Sequence, residues 1–516
     1  MRRALRNLGR VWEIARTLAR HDALFPLAIM GAPGILAFAI RLSGPRRIAA
    51  VRDKRPGERL ALALQALGPA FIKLGQALAV RSDLVGDEIS ADLSALQDRL
   101  PPFSGTAARD TVEAELDRPL AELFDSFDDE PVAAASIAQV HRAITADGTD
   151  VAVKVLRPGI EAAFERDLDL MRWLAELAER HRPDLRRLKP VEVVRTLADS
   201  VEIEMDLRFE AAAADELRAN FADEERFRVP TVDWTRTARR VLTTGWVEGV
   251  RINDREALIE AGHDLAEIVA NMANVLFLQV FRDGSFHADM HPGNLFVDAD
   301  GAVVAVDFGI MGRLDKKTRQ YLAEMLLGFL TGDYRRVAEI HVKAGYVPAD
   351  QSVEAFAQAA RSIAEPILGL PLNRISLARL LAQLFRITAK FNMETQPQLL
   401  LLQKTMLVAE GVGRQLYPEV NMWDLSRPLI EGWMVREMGP EGRIRDALGD
   451  VIRGIERLPA LLADMEESFE TMRRSGLKLH PDTVSAMTAS RRAGAGRWTL
   501  WAAAALGIAV IAVLAG

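Results

Sequence analysis

Cysteine is absent from all 516 residues. Disulfides, thiolate metal sites and cysteine nucleophiles are thereby excluded, as suits a domain kept in the cytosol, and the chemistry falls to carboxylates, lysines, histidines or a bound cofactor. Excess basic charge is lacking too. With 65 Lys+Arg against 72 Asp+Glu the formal net charge is -7, so nucleic acid is not an expected partner. No G-x-G-x-x-G dinucleotide fingerprint, no clustered histidine set for iron and no internal repeat occurs, which leaves oxidative chemistry unsupported. What remains is the composition of a folded protein, long enough for one large domain or two ordinary ones.

Residues 3–20 read as an amphipathic basic helix, and the apolar stretch from Ala23 to Ile40 is broken by Pro26 and Pro33. A cleaved signal is therefore rejected in favour of a membrane-surface or core-capping helix, and residues 1–58 form a basic and apolar membrane-proximal region. At the other end, Trp498 to Gly516 is free of charge, close to the ~20 residues that cross a bilayer. Trp498 and Trp501 suit the interface, and Arg491, Arg492 and Arg497 suit its cytoplasmic side.

Between these ends the pattern changes twice. Residues 59–122 are a helical extension, with apolar residues at helical spacing up to Pro101 and Pro102. From Leu123 to Leu156 the runs IAQVHRAI and VAVKVL, separated by Asp147-Gly148, predict a hairpin in a small antiparallel sheet. A long helical stretch from Ile160 to Asn220 and one more strand in RRVLTTGWVEGVRI complete a lobe over 123–254. Residues 255–475 are mainly helical, except for NLFVDADGAVVAVDFG, whose two apolar runs flank an Asp-Gly turn. The expected fold is α+β, a small β lobe followed by a larger helical lobe with a cleft between them.

The strongest constellation lies in that cleft. HADMHPGN places Asp289 five residues before Asn294, and Asp307, Phe308 and Gly309 form DFG after the Asp-Gly hairpin. Phosphoryl transfer needs this layout: a loop carboxylate near the acceptor, then an amide oxygen and a second carboxylate that hold Mg²⁺ on the phosphates of ATP. Lys154 follows the predicted hairpin turn and points away from Val153 and Val155, where a kinase strand carries its phosphate lysine. The next helix offers Glu210 as its partner. Upstream, where kinases have glycines, Ala133, Ala134, Ala135 and Ser136 lead into Ile137, Ala138, Gln139 and Val140. Alanine visits positive φ less freely than glycine, so a stiffer nucleotide loop is expected. In FIKLGQ, Lys73 and Gln76 share one helix face, and Gly75 permits close approach of another element.

Taken together, K-x-G-Q at Lys73 to Gln76, AAASIAQVH, VAVKVLRP, EMD at Glu204 to Asp206, FHADMHPGN, DFG and METQPQLLLLQKTMLVAEGVGRQLYP resemble the UbiB family. These are kinase-like ATPases linked to aerobic ubiquinone biosynthesis, and the likeness runs from about residue 50 to 425. It implies a protein-kinase-like bilobal fold in which the K-x-G-Q helix covers the cleft and Lys73 points towards Glu204 and Asp206. It further implies ATP and Mg²⁺ as cofactors, Lys154 paired with Glu210, Asp289 in the catalytic loop, and Asn294 with Asp307 on the metal. The implied partners are membrane lipid, polyprenylphenol-type ubiquinone precursors and other enzymes of that pathway, at the cytoplasmic side of the inner membrane, with a homodimer left open. Two departures stand out: Gly245 occupies a hinge position that is often acidic, and one C-terminal span is present where relatives commonly show two. A nucleotide-binding scaffold is the competing reading. A small-molecule kinase shares the HxD loop but lacks the K-x-G-Q helix.

Overall fold

Proline and glycine punctuate the N-terminal helices. Helix α1 (Arg2–Arg20) turns its apolar stripe inward, burying Ala15, Leu18 and Ala19. Its Arg10 guanidinium reaches Asp167 at 3.0 and 2.8 Å and the Leu67 carbonyl at 2.8 Å. The buried residues pack on the protein as a core cap would, while Trp12 on the same helix is 46% exposed. Helix α2 (Pro56–Leu67) starts with Pro56, and Glu58 folds back to accept from Arg55 N at 2.7 Å. Gly68, at φ 108°, ends it, and Pro69 immediately opens α3 (Pro69–Ala79), which carries Lys73. With α4 (Asp87–Ser94) these helices share a core that includes Leu64, Phe71, Ile72 and Leu93.

The computed structural model describes residues 2–24, 53–79, 85–94, 100–181, 189–367 and 396–420, with 387, 390–393, 425 and 428–433. The expected span at 498–516 and most of the run from Ala23 to Ile40 lie outside these residues.

A five-stranded antiparallel sheet follows α5 (Gly105–Leu116). Strands β3 (Ala138–Thr145) and β4 (Asp150–Leu156) form the expected hairpin, and Gly148 supplies the positive φ of its turn. Strand β1 (Phe124–Phe127) and the short β2 (Ala133–Ala134) both pair with β3, while β6 (Val241–Gly245) pairs with β4. The period of two sends Val151, Val153 and Val155 into a core with Ala108 and Val112 of α5. Lys154 therefore lies on the opposite face, in register with Val140 on one side and Leu242 on the other.

The helical stretch expected from Ile160 to Asn220 is three helices: α6 (Ile160–His181), α7 (Pro190–Glu204) and α8 (Leu207–Asn220). Pro190 can only begin a helix, and Asp206 stops one and starts the next by accepting from Arg208 N at 3.1 Å. A four-stranded sheet, β5 (Phe227–Arg228), β10 (Val303–Ala305), β9 (Leu295–Val297) and β7 (Val250–Arg251) in that order, contains the Asp-Gly hairpin. Strands β8 (Ser285–His287) and β11 (Met311–Arg313) pair separately, so the catalytic loop and DFG lie between two strand pairs.

Below them α9 (Leu265–Phe277) runs into a π-helical turn, Leu278–Asp283. This run is apolar and long enough to cross a membrane, but most of it is buried inside the protein, as befits a core helix. Helices α10 (Lys316–Thr331), α11 (Tyr334–Lys343), α12 (Val353–Ala364) and α13 (Pro397–Leu416) complete the described part of the lobe.

Candidate active site

Three elements converge on Lys154. Strand β4 presents its ammonium, and the capped first turn of α8 presents Glu210, whose oxygens lie 2.7 and 2.9 Å from Nζ. Asp307 Oδ1 accepts from the same nitrogen at 3.0 Å. Asp307 itself has φ 62°, a conformation in which a non-glycine residue is uncommon, and such outliers cluster at functional sites. Phe308 is buried edge-on against the His287 ring, 5.4 Å between centroids, and anchors the strained turn.

One ammonium cannot fully neutralise two carboxylates, and burial decides between them. Glu210 is 8% exposed and Asp307 47%. Burial pushes the Glu210 carboxyl up to about 7, although Lys154 opposes the shift. Desolvation is the largest single effect at Asp307, but the Lys154 charge and hydrogen bond, with His287 and the Gly309 amide, together outweigh it and hold the carboxyl down at about 2, while the two carboxylates together raise Lys154 despite burial. The site thus presents a cation, a carboxylate at its opening that is held ionised and a buried carboxyl behind it whose affinity for a proton is raised.

The catalytic loop is held by backbone and imidazole. His287 is fully buried, and desolvation keeps its ring neutral by lowering its pKa. Its Nε2 lies 3.2 Å from the Val306 carbonyl and its Nδ1 accepts from Asp289 N at 3.1 Å, so one tautomer satisfies both partners and ties the loop to the residue before Asp307. The Asn294 amide donates through Nδ2 to the Asp289 carbonyl at 3.1 Å, which leaves its Oδ1 available as a ligand. Val306 N donates to the Asn294 carbonyl at 2.9 Å and holds this segment beside the DFG turn. Asn294 and Asp307 offer hard oxygens that suit Mg²⁺, but too few to bind it without phosphate oxygens and water. Among the described residues no group of three or more His, Cys, Asp or Glu side chains forms a self-sufficient metal site. The donor set therefore fits a metal that arrives with a nucleotide.

The alanine loop is stitched down. Ala135 N donates to Ala138 O at 2.8 Å, and Arg157 donates to the carbonyls of Ser136 at 3.3 Å, Ala135 at 3.4 Å and Pro101 at 2.9 Å. Ser136 is fully buried, and its hydroxyl has no hydrogen-bond partner among the described residues. Ile137 and Ala138 enter the core shared with α2 and α3. Gln139 is also buried and exchanges hydrogen bonds with the Phe103 backbone at 3.0 and 3.3 Å, so its side chain braces the loop. Ala133 is exposed, with Ala134, Ala135 and Val140 half-buried.

On α3, Lys73 Nζ lies 2.6 Å from Glu204 Oε2 at the end of α7. Gln76 is half-buried on the same helix. Asp206, expected opposite Lys73, gives both carboxylate oxygens to the Arg208 fork, at 2.8 and 2.6 Å, besides capping α8. Lys404 on α13 is a neighbour that the motifs do not single out. Its Nζ stands 2.9 Å from Asp289 Oδ1, and the only sign in the sequence is a lysine beside the apolar stripe of LLLLQKTMLVAEG.

Residues 95–341 match the ABC1 atypical kinase-like domain, and residues 360–421 match the UbiB helical domain. The chain is 41% identical to the Probable protein kinase UbiB of Marinobacter nauticus, covering 91% of this chain and 86% of that one. Against the protein of the same name from Aeromonas hydrophila the identity is 41%, covering 96% and 91%. The chain belongs to the UbiB family. Among solved structures, the Rv3197–erythromycin complex from Mycobacterium tuberculosis is similar at a TM-score of 0.52 and 28% identity, over 72% of this chain and 94% of that one. The kinase-like fold of this UbiB family member, and with it a general capacity for ATP and a divalent metal, rests on these likenesses and on the geometry above.

Proposed function

We propose that the protein binds MgATP between the β4 face and the catalytic loop and cleaves or transfers its terminal phosphoryl group in support of ubiquinone biosynthesis. The observation that carries this is the meeting of Lys154, Glu210 and Asp307, contributed by a strand, a helix and the DFG turn. Lys154 holds the α- and β-phosphates, Glu210 fixes that lysine, and Asn294 and Asp307 hold the metal. When bound, Mg²⁺ neutralises charge on the phosphate oxygens. Asp289 orients the attacking hydroxyl or water, while the alanine loop covers the nucleotide stiffly. Lys73, Gln76, Glu204 and Asp206 form the regulatory cover around α3.

The membrane assignment is part of the same proposal. Trp498 to Gly516 anchors the protein in the inner membrane with the kinase-like region on the cytoplasmic side, within reach of lipid and polyprenylphenol precursors and of other pathway enzymes. The pinned loop favours one alternative, a scaffold that binds nucleotide without turning it over. One pair of measurements separates these readings. Asp307→Asn is expected to abolish the Mg²⁺-dependent thermal stabilisation by ATP, and wild type is expected to release phosphate from ATP. Unchanged MgATP stabilisation in the variant removes Asp307 from the site, whereas stabilisation without turnover in wild type favours the scaffold.

A further inference from the structure

The catalytic loop lies in the kinase-like region, which ends at residue 341, yet the cation on its carboxylate comes from the helical region that begins at 360. Lys404 sets Nζ 2.9 Å from Asp289 Oδ1. Its helix is firmly placed: Leu402, Thr405, Ala409, Val412 and Leu416 are all buried at helical spacing along α13. Arg255 Nε further ties the end of α13 by donating to the Leu416 carbonyl at 3.3 Å. Lys404 projects from the edge of that stripe.

The pair itself is wet, with side chains 41% and 34% exposed, and so exposed an ion pair adds little to stability. Its position is more telling. From Asp289 to Asn294 the loop has no lysine or arginine of its own, and His291 Nδ1 is occupied in accepting from Gly293 N at 3.1 Å. The positive charge on the loop carboxylate is supplied across the domain boundary.

We infer that Lys404 is a positioning residue for phosphoryl chemistry and that the helical region thereby completes the active site. The inference rests on the phosphoryl-transfer reading above. Lys404 fixes Asp289 through Oδ1, which leaves Oδ2 to take the proton of the attacking hydroxyl or water. The attacking oxygen forms its bond to the terminal phosphorus, the bond from that phosphorus to the bridging oxygen breaks, and ADP departs with the electron pair. Lys404 keeps the accepting oxygen in line throughout, and misalignment of a catalytic group is costly in rate even where binding is unaffected.

The test is steady-state MgATP turnover by the full-length protein, comparing wild type with Lys404→Met, Lys404→Arg, Asp289→Asn and the Asp289→Asn/Lys404→Met double variant. Lys404→Met is expected to lower kcat about tenfold with KM for ATP within about twofold of wild type. Arginine at this position should recover most of the rate, and the double variant should be no slower than Asp289→Asn alone. Lys404→Met with wild-type or higher kcat overturns the inference, as does a loss that adds fully to that of Asp289→Asn. A parallel fall in ATP affinity and thermal stability also overturns it by marking the contact as structural. Absence of turnover in wild type that still binds MgATP instead overturns the catalytic reading on which the inference rests.

Discussion

Two Lys–Glu pairs of similar length and burial sit on neighbouring elements of this protein but differ in what they join. Lys73–Glu204 joins two helices at 2.6 Å, with both side chains about a tenth exposed. Lys154–Glu210 joins a strand to a helix at 2.7 Å and is comparably buried, but Asp307 from beyond the catalytic loop reaches the same ammonium. The first pair connects helix α3 to α7. In the second the ammonium is shared, since Asp307 Oδ1 also lies 3.0 Å from Lys154 Nζ. The acidic group that joins the second pair, Asp307, comes from the DFG turn and is 47% exposed.

The largest expected effect follows from that difference. Lys154→Met should lower ATP turnover by about 10²- to 10³-fold, the usual cost of losing one preorganised electrostatic contact in an active site. Steady-state phosphate release measures it, and a loss below tenfold would place the two pairs in the same structural class. Lys73→Ala should do the reverse. It should reduce unfolding stability by about 2 kcal/mol, since Glu204 is left buried without this partner, while turnover falls less than tenfold. Denaturant unfolding alongside the turnover assay checks this, and a catalytic loss as deep as that of Lys154→Met breaks the comparison.

The smallest effect is a pH dependence of the second pair. Because Glu210 is raised in the folded protein to about 7 from 4.5, its contribution to stability is full below pH 4.5 and is lost as pH rises through about 7. Glu210→Gln removes this slope, so the stability of the variant relative to wild type should rise between pH 5 and 8, by on the order of 1 kcal/mol. Thermal unfolding across that range decides it. Parallel curves for variant and wild type would mean that Glu210 stays fully ionised.

Much of the site is legible in the sequence because its parts are local. The spacing from Asp289 to Asn294 is a loop property, the Asp-Gly turn sets the strands before Asp307, and the alternation of VAVKVL decides which face Lys154 takes. The pairing with Glu210 needs only the order of elements and the family likeness. Other assignments depend on competition between partners. Asp206 could have faced Lys73, but the start of α8 and the Arg208 fork lie two residues away and take its oxygens. Gln139 reads as part of a nucleotide loop, and its amide is held by the Phe103 backbone and the His141 ring, partners that the sequence does not name.

By itself the sequence determined the sheet hairpin, the catalytic loop, the DFG turn and the absence of thiol chemistry, since each depends on residues within a few positions or on composition alone. Only the tertiary structure decided that Ala15, Leu18 and Ala19 of α1 are buried, that Asp307 shares an ammonium with Glu210 and that Lys404 meets Asp289 across 115 positions. The physical reason is that period and turn chemistry are written into neighbouring residues. The partner of a charge is settled only when burial and packing have brought distant segments together and set which groups lose their water.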